Sequence, residues 1–260
     1  MMRSVGAGCG LFLLVALAWT FYDPLASLND VARLGAADGD AEALERTLEA
    51  RGRGALWALR EGMSAPNPAV RLRCAGLLAR LNAPESAQAE RLLLETLARG
   101  ERDPQGALAE RLLLEVWDRR GAPDDDARLR ELRRGAQTDT PDAETRRELD
   151  LLIGVHPFWL GGYTARSRYH FTRGAWLLAA QDALQALVLE PNHFEALATR
   201  GRCLLRLGYP EQALQCLEQA TRVHPRLMSE LEADLERSRK EAAVEREERL
   251  RQRRMERPLS

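Results

Sequence analysis

Three arginines, Arg134, Arg168 and Arg202, follow one another at equal intervals, and Arg130 and Arg206 lie one helical turn from the outer two. A guanidinium is a planar fork of N–H donors that grips a carboxylate through two parallel hydrogen bonds. A column of such groups on one face would suit an acidic segment or the carboxylate of a chain terminus. Lysines and arginines number 38, and Lys240 is the only lysine. With arginine this abundant, a solvated helix face accounts for the column as well.

No pattern for a reaction accompanies these residues. The chain has no Gly-rich phosphate loop, no HExxH and no GxSxG. His156 and His224 each stand just before a proline, which marks a turn feature; with His170 and His193 they read as helix-end polar residues rather than catalytic or metal groups. Cys9, Cys74, Cys203 and Cys216 are far apart, without metal-ligand spacing. The last three read as small buried hydrophobes, with a Cys203–Cys216 bridge between paired helices as the alternative. Asp124, Asp125 and Asp126 read as the N-terminal cap of a following helix rather than a calcium loop. No cofactor and no metal is expected, and the chain reads as non-enzymatic. The net charge of -1 argues against a nucleic-acid partner, which would call for a strongly basic surface.

The elements that would position the arginines are helices. Alanine, leucine, arginine and glutamate dominate, while aromatic residues make up 5%. From about Asp30 to Arg120, short amphipathic segments alternate with Gly, Pro and Asn, and apolar residues recur at three and four, as in Val70, Cys74, Leu77, Leu78 and Leu81. Asn67 caps one helix with Pro68 in its first turn, and Pro84 opens the next after Asn82. The segment from Asn67 to Leu81 resembles the second helix of a HEAT repeat. An internal echo supports repetition: Ala89-Glu90-Arg91-Leu92-Leu93-Leu94-Glu95 returns, residue for residue, from Ala109 to Glu115.

The second half has a firmer period. Pro157, Pro191 and Pro225 are evenly spaced, and apolar or small residues before them keep step: Leu149, Ala183 and Leu217; Leu152, Ala186 and Ala220; Val155, Leu189 and Val223. With Gly201, Leu204, Ala213, Leu217, Ala220 and Pro225 in the last frame, this stretch resembles tetratricopeptide (TPR) repeats, whose period it shares. Small residues at Gly201, Ala213 and Ala220, and at Ser167, Ala179 and Ala186 in the middle frame, would let paired helices cross closely. Gly174 and Gly208 would end the first helix of each pair. The first frame departs, with Thr145 at the crossing alanine and Thr140 at the helix-ending glycine.

The expected fold is thus an all-α solenoid of helical hairpins. Its parts are a signal peptide or membrane anchor over 1–22, HEAT-like repeats over 30–120, three TPR repeats at 126–159, 160–193 and 194–227, and a charged capping helix and tail over 228–260. Arg3 followed by the uncharged stretch Ser4 to Tyr22 predicts export or anchoring, with the bacterial periplasm as the location and the membrane touched by this segment alone. The TPR resemblance implies that the arginine column faces a concave groove holding another polypeptide, an acidic or C-terminal segment. The alternative is a structural subunit that self-associates through its solenoid faces.

Overall fold

Strong helix formers throughout leave helix as the only regular structure among the described residues. The computed structural model describes residues 25–35, 38–100, 103, 105–122, 126–136 and 143–255, so the apolar segment of residues 4–22 lies outside them. No described helix is long and apolar enough to cross a membrane. The described residues divide into two compact units. The first runs to Thr96 and takes in residues 105–116; the second comprises residues 97–100, 103 and the chain from Trp117 onward.

The first unit contains α1 (25–33), α2 (Asp38–Arg51), a 3-10 turn (Gly52–Ala55), α3 (Leu56–Gly62), α4 (Pro68–Arg80) and most of α5 (Ser86–Ala98) and α6 (Gly106–Arg119). Asn67 starts α4 by accepting a hydrogen bond from the Ala69 N–H at 2.9 Å, and Pro68 occupies the first turn, where its missing N–H costs nothing. Val70, Cys74, Leu77 and Leu78 of α4 are buried, as their spacing predicts. Asn82 ends α4 in the left-handed region, at φ 48°, and α5 begins at Ser86, past Pro84. Charge is also buried here. Arg73 of α4 donates to Glu45 of α2 at 2.5 Å, and Arg80 of α4 donates to Glu49 of α2 at 3.1 Å and Glu115 of α6 at 2.6 Å. Such groups are tolerable inside only because each guanidinium meets a carboxylate.

In the second unit α7 (Asp126–Ala136), α8 (Ala143–Val155), α9 (Leu160–Thr172), α10 (Trp176–Leu189), α11 (Phe194–Arg206) and α12 (Pro210–Val223) follow one another; a 3-10 turn (Pro225–Leu227) then leads into α13 (Met228–Met255). α7, α9 and α11 start at a constant stride, the same that separates the starts of α10 and α12 and the ends of α8, α10 and α12. Gly174 and Gly208, at φ 71° and 80°, close α9 and α11 where a side chain would be strained. At the crossing of α11 and α12, a Cβ on Gly201 would stand 2.7 Å from Leu217, and Ala213, Leu217 and Ala220 are wholly buried. At the α9–α10 crossing the Ser167 hydroxyl donates to the Ala179 carbonyl at 2.8 Å. At the α7–α8 crossing Gly135 lies against Thr145, where a Cβ would meet the Thr145 hydroxyl at 2.9 Å. The larger threonine of the first frame is thus accommodated by a glycine on the facing helix.

Leu231 and Leu235 of α13 are buried against Leu197, Ala198, Leu217 and Ala220, covering the last hairpin. The attachment continues well past these leucines. Ala242 is buried, and Glu211 in the first turn of α12 accepts from Arg246 at 2.7 Å and Arg249 at 3.2 Å. Cys74, Cys203 and Cys216 are free and buried, so the alternative of a Cys203–Cys216 bridge is not what the structure shows.

Candidate functional site

Each arginine of the column comes from the corresponding turn of α7, α9 or α11, because the helices repeat at the stride of the arginines themselves. Their surroundings differ. Arg134 is exposed on α7, and Arg130 belongs to the same helix, its side chain outside the described residues. Arg168 reaches from α9 to Glu195 in the first turn of α11, Nη2 to Oε2 at 3.5 Å. Arg202 reaches in the same sense from α11 to α13, donating to Asp234 at 2.9 Å and Glu230 at 3.0 Å. Arg206 lays its guanidinium over the Trp176 ring, 5.5 Å from the centroid.

The arginines at 168 and 202 therefore repeat an inter-helix ion pair as well as a position in sequence. Gly161 holds the place in α9 that Glu195 holds in α11, so at the start of α9 no carboxylate stands where α11 supplies one. Burial works against the charged form of Arg202, but hydrogen bonds to Asp234 and Glu230 outweigh it and hold its pKa above the ordinary arginine value. Arg202 is thus already paired with two carboxylates of its own chain. Arg168 keeps a longer and more exposed contact, beside a small hollow lined by Thr164, Ser167, Glu195, Ala196 and Thr199. The Thr199 hydroxyl and the guanidinium there can donate to a carboxylate or a backbone carbonyl, whereas the Thr164 hydroxyl already donates to the Gly161 carbonyl at 3.0 Å.

A further arginine, not singled out from sequence, is better satisfied than any of the column. Arg166 of α9 holds Asp182 of α10 through Nε at 3.0 Å and Nη2 at 2.7 Å, and Asp150 of α8 through Nη1 at 2.9 Å. Burial opposes its charge, and the hydrogen bonds to Asp182 and Asp150 raise its pKa regardless. His170 lies beside them, 3.8 Å from Asp182; burial, aided by Arg166 and Arg146, lowers its pKa despite that carboxylate. The breadth of the guanidinium fork is what lets one side chain reach both neighbouring helices, a signal that sequence spacing alone does not carry.

His193 and His224 sit in structural places. His193 caps α11 by accepting the Ala196 N–H on Nδ1 at 3.3 Å, and it stacks near Trp117 with ring centroids 4.8 Å apart. His224 meets the Phe194 ring edge-on at 4.8 Å. Among the described residues no group of three His, Cys, Asp or Glu side chains could hold a metal ion. Burial pushes the thiols of Cys74 and Cys203 up to about 12, away from nucleophilic character. No family model, curated protein or solved structure matches the chain.

Proposed function

We propose that the chain is a non-enzymatic scaffold that binds another polypeptide, built as an α-solenoid of HEAT-like hairpins followed by TPR-type hairpins. The observation that carries this reading is the constant stride of α7, α9 and α11, which sets one arginine at the same level on each. In TPR arrays that part of the first helix faces the groove, and a stacked array offers a long surface to an extended partner. The grip falls to Arg168 and Arg134, with Thr199 as a neutral donor, because Arg202 is committed to Glu230 and Asp234. An acidic or C-terminal segment is the fitting partner. The site of action, a cell envelope and specifically a bacterial periplasm, rests on the apolar sequence of residues 4–22 alone.

Titration of a fluorescent glutamate-rich peptide tests the reading. Arg134→Glu with Arg168→Glu should abolish binding while leaving the melting temperature in place, since Arg134 is exposed and the Arg168 side chain is 40% accessible. Equal affinity for parent and double variant would remove the arginine column from the function.

A further inference from the structure

The three arginines of the column are held to different degrees. Arg134 is exposed and reaches no carboxylate among the described residues. Arg202 donates hydrogen bonds to two, at 2.9 Å to Asp234 and 3.0 Å to Glu230. Arg168 stands between these extremes. Its one ion pair is with Glu195 at 3.5 Å, longer than the roughly 2.8 Å of a charge-assisted hydrogen bond. Both side chains are partly in solvent, 40% and 34% accessible, so water competes for each end of the pair.

Glu195 is placed where it can let go without disturbing the fold. The turn beneath it is fixed, because His193 caps α11 by accepting the Ala196 N–H at 3.3 Å. The Glu195 carboxylate has no second ion pair among the described residues, so rotation of its side chain breaks one contact and no other. What it closes is the hollow beside Arg168, whose wall it forms with Thr164, Ser167, Ala196 and Thr199. That hollow measures about 10 Å³, room for about one water molecule and too little for a second carboxylate. Two of its hydroxyls are engaged, Ser167 with the Ala179 carbonyl and Thr164 with the Gly161 carbonyl. The donors left are the Arg168 guanidinium and the hydroxyl of Thr199, one turn on from Glu195 along α11.

We propose that Glu195 is a built-in counter-ion that gates Arg168: its carboxylate holds the place a partner's carboxylate takes, and swings out when that partner binds. The inference rests on the reading of the column as a peptide site and names a residue that sets its specificity. An incoming carboxylate replaces one long contact with two parallel N–H···O bonds from the guanidinium. A neutral carboxamide gains less from the same guanidinium and leaves Glu195 seated. Acidic segments are thereby selected over amide-rich ones of the same shape. α9 supplies no such counter-ion to Arg134. Gly161 stands at the corresponding place, and a Cβ there would meet the Asp118 carbonyl oxygen at 2.7 Å. Arg134 therefore meets the partner first, and Arg168 opens second.

Titration of the fluorescent glutamate-rich peptide into the full chain tests the gate, with the melting temperature recorded for each variant. Glu195→Gln keeps the shape and removes the charge, and should bind about fivefold more tightly than the parent, the scale of one exposed ion pair. Its melting temperature should stay level or fall slightly, because a carboxylate is lost from the first turn of α11. A gain in affinity without a gain in stability separates a released arginine from a firmer fold. In an Arg168→Ala background the same change should bring no gain, since no guanidinium remains to be released. An equal gain in that background would show that Glu195 merely repels the peptide, and would overturn the gate. Equal affinity of Glu195→Gln and the parent, with binding still abolished by Arg134→Glu and Arg168→Glu together, would overturn the gate and leave the peptide-binding reading standing. Absence of binding by the parent and Glu195→Gln alike would remove both.

Discussion

Arg202 and Asp234 lie 2.9 Å apart, and Glu230 takes the other end of the same guanidinium at 3.0 Å. The pair ties α11 to the helix that covers it, beside the contact of Leu231 and Leu235 with Leu197 and Leu217. Partial exposure keeps its contribution modest, at about 1 kcal/mol. Arg202→Ala should lower the melting temperature slightly, and Arg202→Glu more, because three carboxylates would then face one another. Adding Asp234→Arg to Arg202→Glu should recover part of the loss in thermal denaturation. A variant at 202 as stable as the parent would show that the Arg202 ion pairs add nothing to the hold on α13 that its leucines and the Glu211 contacts provide.

The Arg73–Glu45 pair in the first unit is the opposite case, with both side chains nearly inaccessible. Glu45→Ala leaves a buried guanidinium short of its partner and should cost about 3–5 kcal/mol in urea denaturation. Replacing both, as Glu45→Leu with Arg73→Met, should cost less than Glu45→Ala alone. Additive losses would argue against a coupled pair.

Gly201 is the tightest point of the last hairpin. Gly201→Val would drive two methyl groups into the buried Leu217 side chain and the Ala213 carbonyl, with an expected loss of about 1–3 kcal/mol. Gly208→Ala should also destabilise, through its φ of 80° rather than through crowding, since nothing lies near its Cβ. Equal stability of Gly201→Val and the parent would mean that α11 and α12 are not in van der Waals contact there.

Two groups give stability a pH signature. Burial lowers the His170 pKa, so the native state binds fewer protons there than the unfolded chain, and the contribution present above 6.5 is lost as pH falls through the folded value. His170→Gln should flatten that acid limb; Asp182, Asp150, Arg166 and Arg146 around it remain unchanged. Cys74 and Cys203 act in the other direction, because burial raises their thiols from 9.0 to about 12. Their contribution is complete below 9.0 and fades as pH climbs towards 12. At pH 8 the native protein should react with a thiol reagent at neither site, and both should react in urea; rapid native labelling of Cys203 would contradict its burial.

The hairpins of the second unit are legible in the sequence because their signals are local. Gly174 and Gly208 stop helices by backbone conformation, and Ala179, Ala186, Ala213 and Ala220 leave room at crossings, so spacing alone locates them. The environment of the arginine column is not legible in the same way. Arg202 pairs far along the chain with Asp234, and which of many acidic side chains it meets depends on how α13 lies across α11. Arg166 escapes sequence reading for the same reason: its partners flank it at equal distances on either side, a relationship that exists only once α8, α9 and α10 stand together. The buried charges of Glu45, Arg73 and Arg80 look like surface residues in the sequence, and only packing distinguishes them.

The two halves of α13 answer to different forces. Near its start Leu231 and Leu235 are held by burial, which added salt strengthens if it changes it at all. Near its end the hold comes from Glu211 bridging Arg246 and Arg249 in open solvent, an attraction that dissolved ions weaken as the Debye length shrinks from about 8 Å at physiological strength to about 3 Å at 1 M. Raising ionic strength should therefore peel the distal turns away from α12 while the proximal turns stay seated, so one continuous helix would detach in part, hinging where its leucines give way to arginines.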